Sequence, residues 1–278
     1  MDIQSAENKL TALKSILKDY GSVMIGLSGG VDSTFLVKVA SQVLGEKAAA
    51  ATALSYIYPS WESKEAEDIA VSLGMKYIKM PFDPIKDVEG FEMNPKDRCY
   101  ICKKQLFTIL KQKAESMGIA CVADGTNADD INDYRPGLRA LKELEIKSPL
   151  LEAGLTKEEI RYFSKQLGLS TFSKPSFACL ASRFPYGERI TREQLSMIER
   201  SETFILSKGF SNVRVRCHGN LARIELSKDE MHRALEEEIR DELDKALKDI
   251  GFQFVSLDLS GYRTGSMNVE VKTAYEQK

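Results

Sequence analysis

A short, uninterrupted apolar run at residues 23–27 passes through Ser28, Gly29 and Gly30 directly into a helical pattern that covers 31–44. Such a run is typical of a strand that is covered on both faces. The alternation continues with strands at 48–54, 77–80 and 119–123 and with helices at 62–73 and 101–117. A loop at 82–98 separates the strand at 77–80 from the helix at 101–117. Strands that alternate with helices predict an α/β fold with a doubly wound parallel sheet.

The pattern changes after about residue 190. A helix at 191–208 precedes two strictly alternating strands, at 213–217 and 222–226, and a long charged helix at 229–248 precedes a last strand at 253–259. This part reads as a smaller, half-exposed α+β domain of antiparallel character. The boundary lies in 171–190, so we divide the chain into 1–180 and 181–278.

Composition narrows the class of protein. The chain has 278 residues with 39 basic and 41 acidic side chains, so no overall field draws it onto nucleic acid. No segment is apolar over the length of a bilayer, and the N-terminus lacks the form of a signal peptide, so we expect a cytoplasmic protein without a membrane partner. The odd number of cysteines, five, favours thiol chemistry or a metal over a disulfide framework.

The glycines at the first strand–helix junction let successive backbone N–H groups point into one concavity, and the helix start adds its positive dipole end. This predicts an anion site suited to pyrophosphate. An ordinary tight turn is the alternative, but the junction lies at the carboxyl end of a strand, where α/β sheets bind ligands. It is not a Walker loop, because no Gly-Lys-Ser/Thr follows.

The run Ser28-Gly29-Gly30-Val31-Asp32-Ser33 resembles the PP-loop ATP pyrophosphatases, and Asp124-Gly125-Thr126-Asn127-Ala128-Asp129-Asp130 matches their second element. The resemblance implies ATP and Mg²⁺ as cofactors, although the acidic residues would also suit a solvated loop. Tyr56 and Trp61 are weaker candidates for flanking the adenine. We assign these residues to the nucleotide site: Ser28, Gly29, Gly30, Val31, Asp32, Ser33, Leu54, Gly125 and Asp130.

Three further segments resemble the LarE family of ATP-dependent sulfur transferases, and the likeness runs from about residue 10 to 270. They are 132–138, 182–187 and the pair of alternating strands. The family thiolates a pyridinium dicarboxylate mononucleotide during synthesis of a nickel-pincer cofactor. The resemblance therefore implies that a substrate carboxylate attacks ATP, giving an acyl-adenylate and pyrophosphate, and that a sulfur nucleophile then displaces AMP. It also implies a homo-oligomer.

Cys179 lies where some members of that family carry a sacrificial sulfur donor. Cys99 and Cys102 form a Cys-x-x-Cys pair that the single-cysteine members lack. By resemblance to the cluster-bearing branch, the three thiolates would hold a [4Fe–4S] cluster with one iron open to sulfide or a sulfur-donating system. A sacrificial Cys179, a zinc half-site and a redox pair are the alternatives. Cys121 and Cys217 are predicted to lie in the core.

Strand alternation places Arg214 and Arg216 on one face. The fixed guanidinium fork suits phosphate, although a solvated face with Arg223–Glu225 pairs is an equal alternative from spacing alone. The resemblance favours binding of the substrate phosphate by Arg214 and Arg216, with Arg183 near Cys179 holding a substrate carboxylate or phosphate. Two lysines that follow Cys102 are expected to be solvated.

Two other functions fit parts of the pattern. Some PP-loop tRNA thiolases also combine Cys-x-x-Cys with a distant cysteine, but tRNA binding needs many phosphate contacts and this chain is slightly acidic. A sulfur- or metal-carrying protein with a decayed nucleotide site is the non-enzymatic alternative, against which the intact loop argues.

Overall fold

The computed structural model describes residues 1–132, 136–175 and 178–263, which form two compact units. The first unit holds 1–89 and 97–177, and the second holds 90–96 and the chain from 178 onward. No local pattern in the sequence indicates that 90–96 belong with the second unit. Three residues of the 132–138 motif, Asp133, Tyr134 and Arg135, lie outside the described residues. Within the described ranges, no helix has the length and apolarity needed to cross a bilayer.

Helices and strands alternate through the first unit. Its elements are α1 (Ile3–Tyr20), β1 (Val23–Gly26), α2 (Val31–Leu44), β2 (Ala48–Leu54), α3 (Ser60–Ser72), β3 (Lys76–Pro81), α4 (Pro84–Asp87), α5 (Arg98–Ser116), β4 (Cys121–Ala123), α6 (Pro136–Glu143), α7 (Pro149–Glu152) and α8 (Lys157–Gln166).

The four strands form a parallel sheet in the order β3-β2-β1-β4, with Ile25 opposite both Ala50 and Ala123. One face packs against α1, α2 and α8, where Phe35 and Phe163 stack. The other face packs against α5 and α6. The prediction of a doubly wound α/β sheet is confirmed. Because the strand order reverses between β1 and β4, their carboxyl ends flank the crevice where such sheets bind ligands.

The stretch 82–98 is not wholly a loop, so that prediction is wrong in part. Pro84 opens α4, where its fixed φ suits a first helical turn and the Asp83 side chain accepts the Lys86 amide. Helix α5 begins at Arg98, three residues earlier than predicted. The Cys-x-x-Cys pair therefore lies on the first two turns of a helix.

The second unit contains α9 (Arg192–Ser207), β5 (Val213–His218), β6 (Leu221–Leu226), α10 (Met231–Ala234), α11 (Glu237–Ile250) and β7 (Phe254–Leu257). Its sheet has the order β5-β6-β7, in which β5 and β6 are antiparallel but β6 and β7 are parallel. The antiparallel expectation fails for β7 because a helical crossover returns the chain to the same end of the sheet. The predicted single helix at 229–248 is two helices, since Glu236 takes an extended backbone between them.

Candidate active site

The phosphate loop, residues 28–33, is braced by its own hydroxyls. Ser28 and Ser33 share a hydrogen bond of 3.0 Å between their Oγ atoms, and the Ser28 amide donates to Ser33 Oγ at 3.2 Å. Gly29 has φ +72°, which favours glycine, and Gly30 is the N-cap of α2 without a side chain to cap it. The first-turn amides of α2 are thus left for an anion.

The two carboxylate oxygens of Asp32, in the first turn of α2, differ in their hydrogen bonding. Oδ2 accepts Lys157 Nζ at 2.5 Å. Oδ1 is buried and has no hydrogen-bond partner among the described residues. A buried carboxylate oxygen without a partner is costly unless a cation or donor completes it, so Asp32 could hold a divalent cation.

Gly125 brings the end of β4 against the start of α2. A Cβ added there would lie 2.9 Å from the Ser33 amide nitrogen and 3.3 Å from the Asp32 carbonyl carbon. Only a residue without a side chain therefore permits this approach. The requirement for glycine at position 125 therefore comes from packing against α2 and not from direct contact with a ligand.

Asp124, one residue earlier, joins several elements at the same edge of the sheet. It accepts Thr126 Oγ1 at 2.6 Å, Ser148 Oγ at 2.8 Å and Lys103 Nζ at 3.2 Å. The prediction that Lys103 is a solvated helix residue is therefore wrong, because packing turns that face of α5 toward β4. Lys104 pairs with Glu143 and is about half exposed, as expected of a helix surface.

The remaining assigned nucleotide residues are Asp130, in a short 3-10 helix after β4, and Leu54, at the end of β2. Asp130 is buried, and its Oδ2 accepts the Asn127 amide at 3.1 Å. Leu54 ends β2 with 37% of its surface exposed, unusual for a large apolar side chain beside a buried sheet. Trp61 lies under the Lys174 ammonium at 5.1 Å from the ring centroid, and the Tyr56 hydroxyl donates to Asp83.

Cys99 is exposed and Cys102 buried, at positions i and i+3 of α5, which share one side of the helix. Cys179 belongs to the second unit and is partly exposed. In the ranges 1–132, 136–175 and 178–263, no group of three or more His, Cys, Asp or Glu side chains is arranged to hold a metal ion. The cluster stays a prediction.

Arg183 organises the Cys179 turn, residues 178–183, from inside the protein. It is fully buried, and its Nη1 donates to the carbonyls of Ala178 and Cys179 at 2.6 and 3.0 Å. Its Nε and Nη2 form a fork with the Glu202 carboxylate, both at 2.8 Å. Burial alone would lower the pKa of Arg183, but Glu202 outweighs it and the pKa is raised. The described contacts of Arg183 are therefore with protein groups.

Arg214 and Arg216 are each only 5% exposed, so the solvated face of the alternative is wrong, although its Arg223–Glu225 pair is present at 3.4 Å. Arg216 pairs with Glu225 at 2.7 Å and donates to the Ser182 carbonyl at 3.1 Å. The pKa of Arg214 is lowered, first by burial and then by the charge of Arg183. A nearby anion would relieve that unfavourable burial of positive charge.

The other two cysteines are poor nucleophiles. Cys217 is fully buried, as predicted, and burial raises the pKa of its thiol to about 11. Cys121 is only partly buried, unlike the prediction, because β4 carries it to the amino end of the strand beside Ser22. Burial still raises the pKa of Cys121 to about 11. Both thiols stay protonated near neutral pH.

Sequence reasoning missed Lys157, Lys174 and Glu202. Lys157 reaches Asp32, Lys174 donates to the Gly29 carbonyl at 2.9 Å, and Glu202 holds Arg183. Each meets a partner far away in the sequence, and a lysine or glutamate on a helix has no local signature of such a role.

Comparison with known proteins places this geometry in a family context. The NAD synthase family matches residues 6–106, which contain the phosphate loop. A pyridinium-3,5-bisthiocarboxylic acid mononucleotide synthase of Lactiplantibacillus plantarum is 36% identical over 94% of this chain and 94% of its own length.

Two uncharacterized proteins are similarly close. One, of Synechocystis, is 40% identical over 94% of this chain and 97% of its own length. The other, of Methanocaldococcus jannaschii, is 33% identical over 92% of this chain and 98% of its own length. The similarity is thus of nearly full length in each case.

Proposed function

The chain belongs to the family of pyridinium-3,5-bisthiocarboxylic acid mononucleotide synthases, and we propose that it is an ATP-dependent sulfur transferase that converts a carboxylate of a pyridinium dicarboxylate mononucleotide into a thiocarboxylate. The observation that carries this proposal is the anion site at residues 28–33, with its uncapped helix start and the unpartnered oxygen of Asp32. These are the features that adenylation needs, because pyrophosphate must be held as it leaves.

In the first step, a substrate carboxylate oxygen attacks the α-phosphorus of ATP, and the bond to the β-phosphate bridging oxygen breaks. Ser28, Gly29, Gly30, Val31 and Ser33 supply the loop amides and hydroxyls that face the departing pyrophosphate. Asp32 would hold Mg²⁺, which supplies charge neutralisation for the phosphates when bound. Leu54 would contact the adenine ring, and Gly125 and Asp130 would shape the wall beside the nucleotide.

The substrate phosphate is assigned to Arg214 and Arg216. Support comes from their burial and from the lowered pKa of Arg214, since an anion relieves the cost of buried positive charge. Arg183 would contribute by fixing the backbone around Cys179 and by adding its charge to the same unit, because its donors already meet protein acceptors. In this role, the guanidinium of Arg183 does not itself bind the substrate carboxylate or phosphate.

In the second step, sulfur attacks the adenylated carbonyl carbon and AMP leaves. We propose that Cys99, Cys102 and Cys179 hold a [4Fe–4S] cluster, which would supply an iron with an open position for sulfide. Support comes from the donor set: three thiols, two of them at i and i+3 on one helix. Cys179 as a sacrificial donor is the alternative role.

The test is anaerobic reconstitution followed by an ATP-dependent sulfur-transfer assay. The wild-type protein should bind about four irons per chain, and Cys99→Ser should lose both the iron and the sulfur transfer while keeping ATP binding. Cys217→Ser is the matched control and should keep both. A Cys99→Ser protein that retains its iron and its activity contradicts the cluster. Mass spectrometry after turnover separates the roles of Cys179, because a sacrificial donor loses its sulfur.

We also propose a cytoplasmic, homo-oligomeric protein. The five cysteines, all free thiols in the structure, suit a reducing compartment. Light scattering coupled to size-exclusion chromatography measures the assembly, and a monomeric mass at micromolar concentration would contradict it.

A further inference from the structure

Residues 90–96 belong to the second unit, although the chain on both sides of them belongs to the first. Their backbone is hydrogen-bonded to a later stretch of the second unit. The Gly187 amide donates to the Asn94 carbonyl at 2.9 Å, and the Ile190 amide donates to the Glu92 carbonyl at 2.7 Å. The segment is therefore built into the second unit by backbone pairing with residues far along the chain.

The side chain of Asn94 holds the same stretch nearer to the Cys179 turn. Asn94 is fully buried, and its Nδ2 donates to the carbonyl oxygens of Pro185 at 2.6 Å and of Phe184 at 3.4 Å. These two residues follow directly after the turn. Because a buried carbonyl that loses its donor is costly, the carboxamide of Asn94 fixes the backbone at this point.

The backbone of Asn94 is itself held in an uncommon conformation, with φ +51° and ψ +52°. Asparagine tolerates the left-handed region better than most residues do, but the following Pro95 favours an extended backbone at this position. Such a conformation persists where the surrounding contacts fix it, and it is concentrated at functional sites. The hydrogen bonds to residues 184–187 are contacts of that kind.

The Cys179 turn is thereby held at both ends. At its start, Arg183 donates to the carbonyls of Ala178 and Cys179. Directly after it, Asn94 supplies the second anchor. Both anchoring side chains are fully buried, so solvent does not compete for these hydrogen bonds.

We propose that Asn94 is a positioning residue for Cys179, which fixes the chain after the turn and so keeps the thiol in the orientation that sulfur transfer needs. The inference rests on the proposed sulfur transfer. It applies to Cys179 as a cluster ligand and as a sacrificial donor, because either role needs the sulfur atom at one place relative to its reaction partner. A turn anchored at its start alone would leave the thiol free to swing.

The test is alkylation of the reduced, metal-free full chain by iodoacetamide, with the rate at each cysteine followed by mass spectrometry of its peptide. Asn94→Gly suits the left-handed backbone and removes only the carboxamide, so the second unit should stay folded. The Cys179 rate should rise about tenfold, as expected for the loss of two hydrogen bonds between neutral groups. The buried Cys217 of the same unit reports unfolding, and its rate should stay within about twofold of the wild-type rate.

Two further variants complete the test. Asn94→Asp keeps the shape of the side chain but replaces the donor with an acceptor, so it should raise the Cys179 rate as well. Asn212→Ala is the matched control, because it removes a side-chain hydrogen bond to Ser227 Oγ elsewhere in the same unit. It should leave the Cys179 rate unchanged.

The sulfur-transfer assay separates positioning from substrate binding. In Asn94→Gly, kcat should fall about tenfold while KM for the mononucleotide changes less than about threefold. The inference is overturned if both Asn94 variants alkylate Cys179 at the wild-type rate, if Cys217 labelling rises in proportion, or if KM rises while kcat stays constant. The alkylation rates do not depend on turnover, so a failure of the proposed sulfur transfer would remain distinguishable.

Discussion

Gly125 has no room for a side chain, because the chain after β4 lies directly on the backbone of the first turn of α2. Its substitution by alanine tests the site geometry without introducing charge or polarity. The new methyl group would lie 2.9 Å from the Ser33 amide nitrogen and 3.2 Å from the Ser33 Cα. Gly125 does not have a positive φ, so the effect of Gly125→Ala is steric and does not come from backbone strain.

The magnitude follows from those distances. To bring the new methyl group to an ordinary contact distance of about 3.5 Å, the Ser33 backbone must shift by roughly half an ångström, because backbone cannot rotate away as a side chain can. Overpacking of this kind costs about 1–3 kcal/mol of unfolding free energy. The displaced turn also carries the amides of the phosphate loop, so ATP should bind about tenfold to a hundredfold more weakly, equivalent to one charge-assisted hydrogen bond.

Two measurements check this on one protein. Trp61 is the single tryptophan of the chain and lies in the first unit, so its fluorescence during urea denaturation reports that unit. Calorimetry gives the ATP affinity. Gly26→Ala is the matched control, since its methyl would meet only the Phe107 and Leu110 side chains, at 3.6 Å or more. Wild-type stability and ATP affinity in Gly125→Ala would refute the reasoning, as would equal losses in both variants.

Two further predictions concern buried ion pairs. Glu202→Gln leaves the Arg183 charge uncompensated and should lower the unfolding free energy of the second unit by about 3–5 kcal/mol; far-UV circular dichroism in urea checks this, and a loss below about 1 kcal/mol contradicts it. Burial would raise the pKa of Glu159, but Lys9 and the Thr156 amide hold it below its ordinary value. Glu159 thus stabilises the fold above the unfolded pKa of about 4.3, and this contribution disappears as pH falls through the folded pKa. Glu159→Gln should therefore cost about 1 kcal/mol at pH 7, and this cost should shrink as the pH falls through the folded pKa of Glu159. A difference that is constant with pH would contradict the prediction.

Much of the first unit could be predicted from the sequence because its signals are local. The apolar run before Ser28 and the helical pattern that follows Gly30 each involve neighbouring residues, and the structure has β1 and α2 within a residue or two of the predicted bounds. The second unit was harder. The parallel pairing of β7 and the break between α10 and α11 at Glu236 depend on how the helical connection from β6 to β7 packs. The periodicity of charged residues along the sequence carries no information about that packing.

By itself, the sequence determined the kind of site: a glycine-rich junction at a strand end, three cysteines suited to sulfur chemistry, and arginines on alternating positions. Only the tertiary structure decided what these groups face. It buried Arg216 against Glu225, paired Arg183 with Glu202, and brought Lys157 to Asp32. Each of these contacts joins residues that are separated along the chain, so its energy arises from packing and desolvation after the elements assemble. Packing and desolvation between distant residues produce no local sequence pattern.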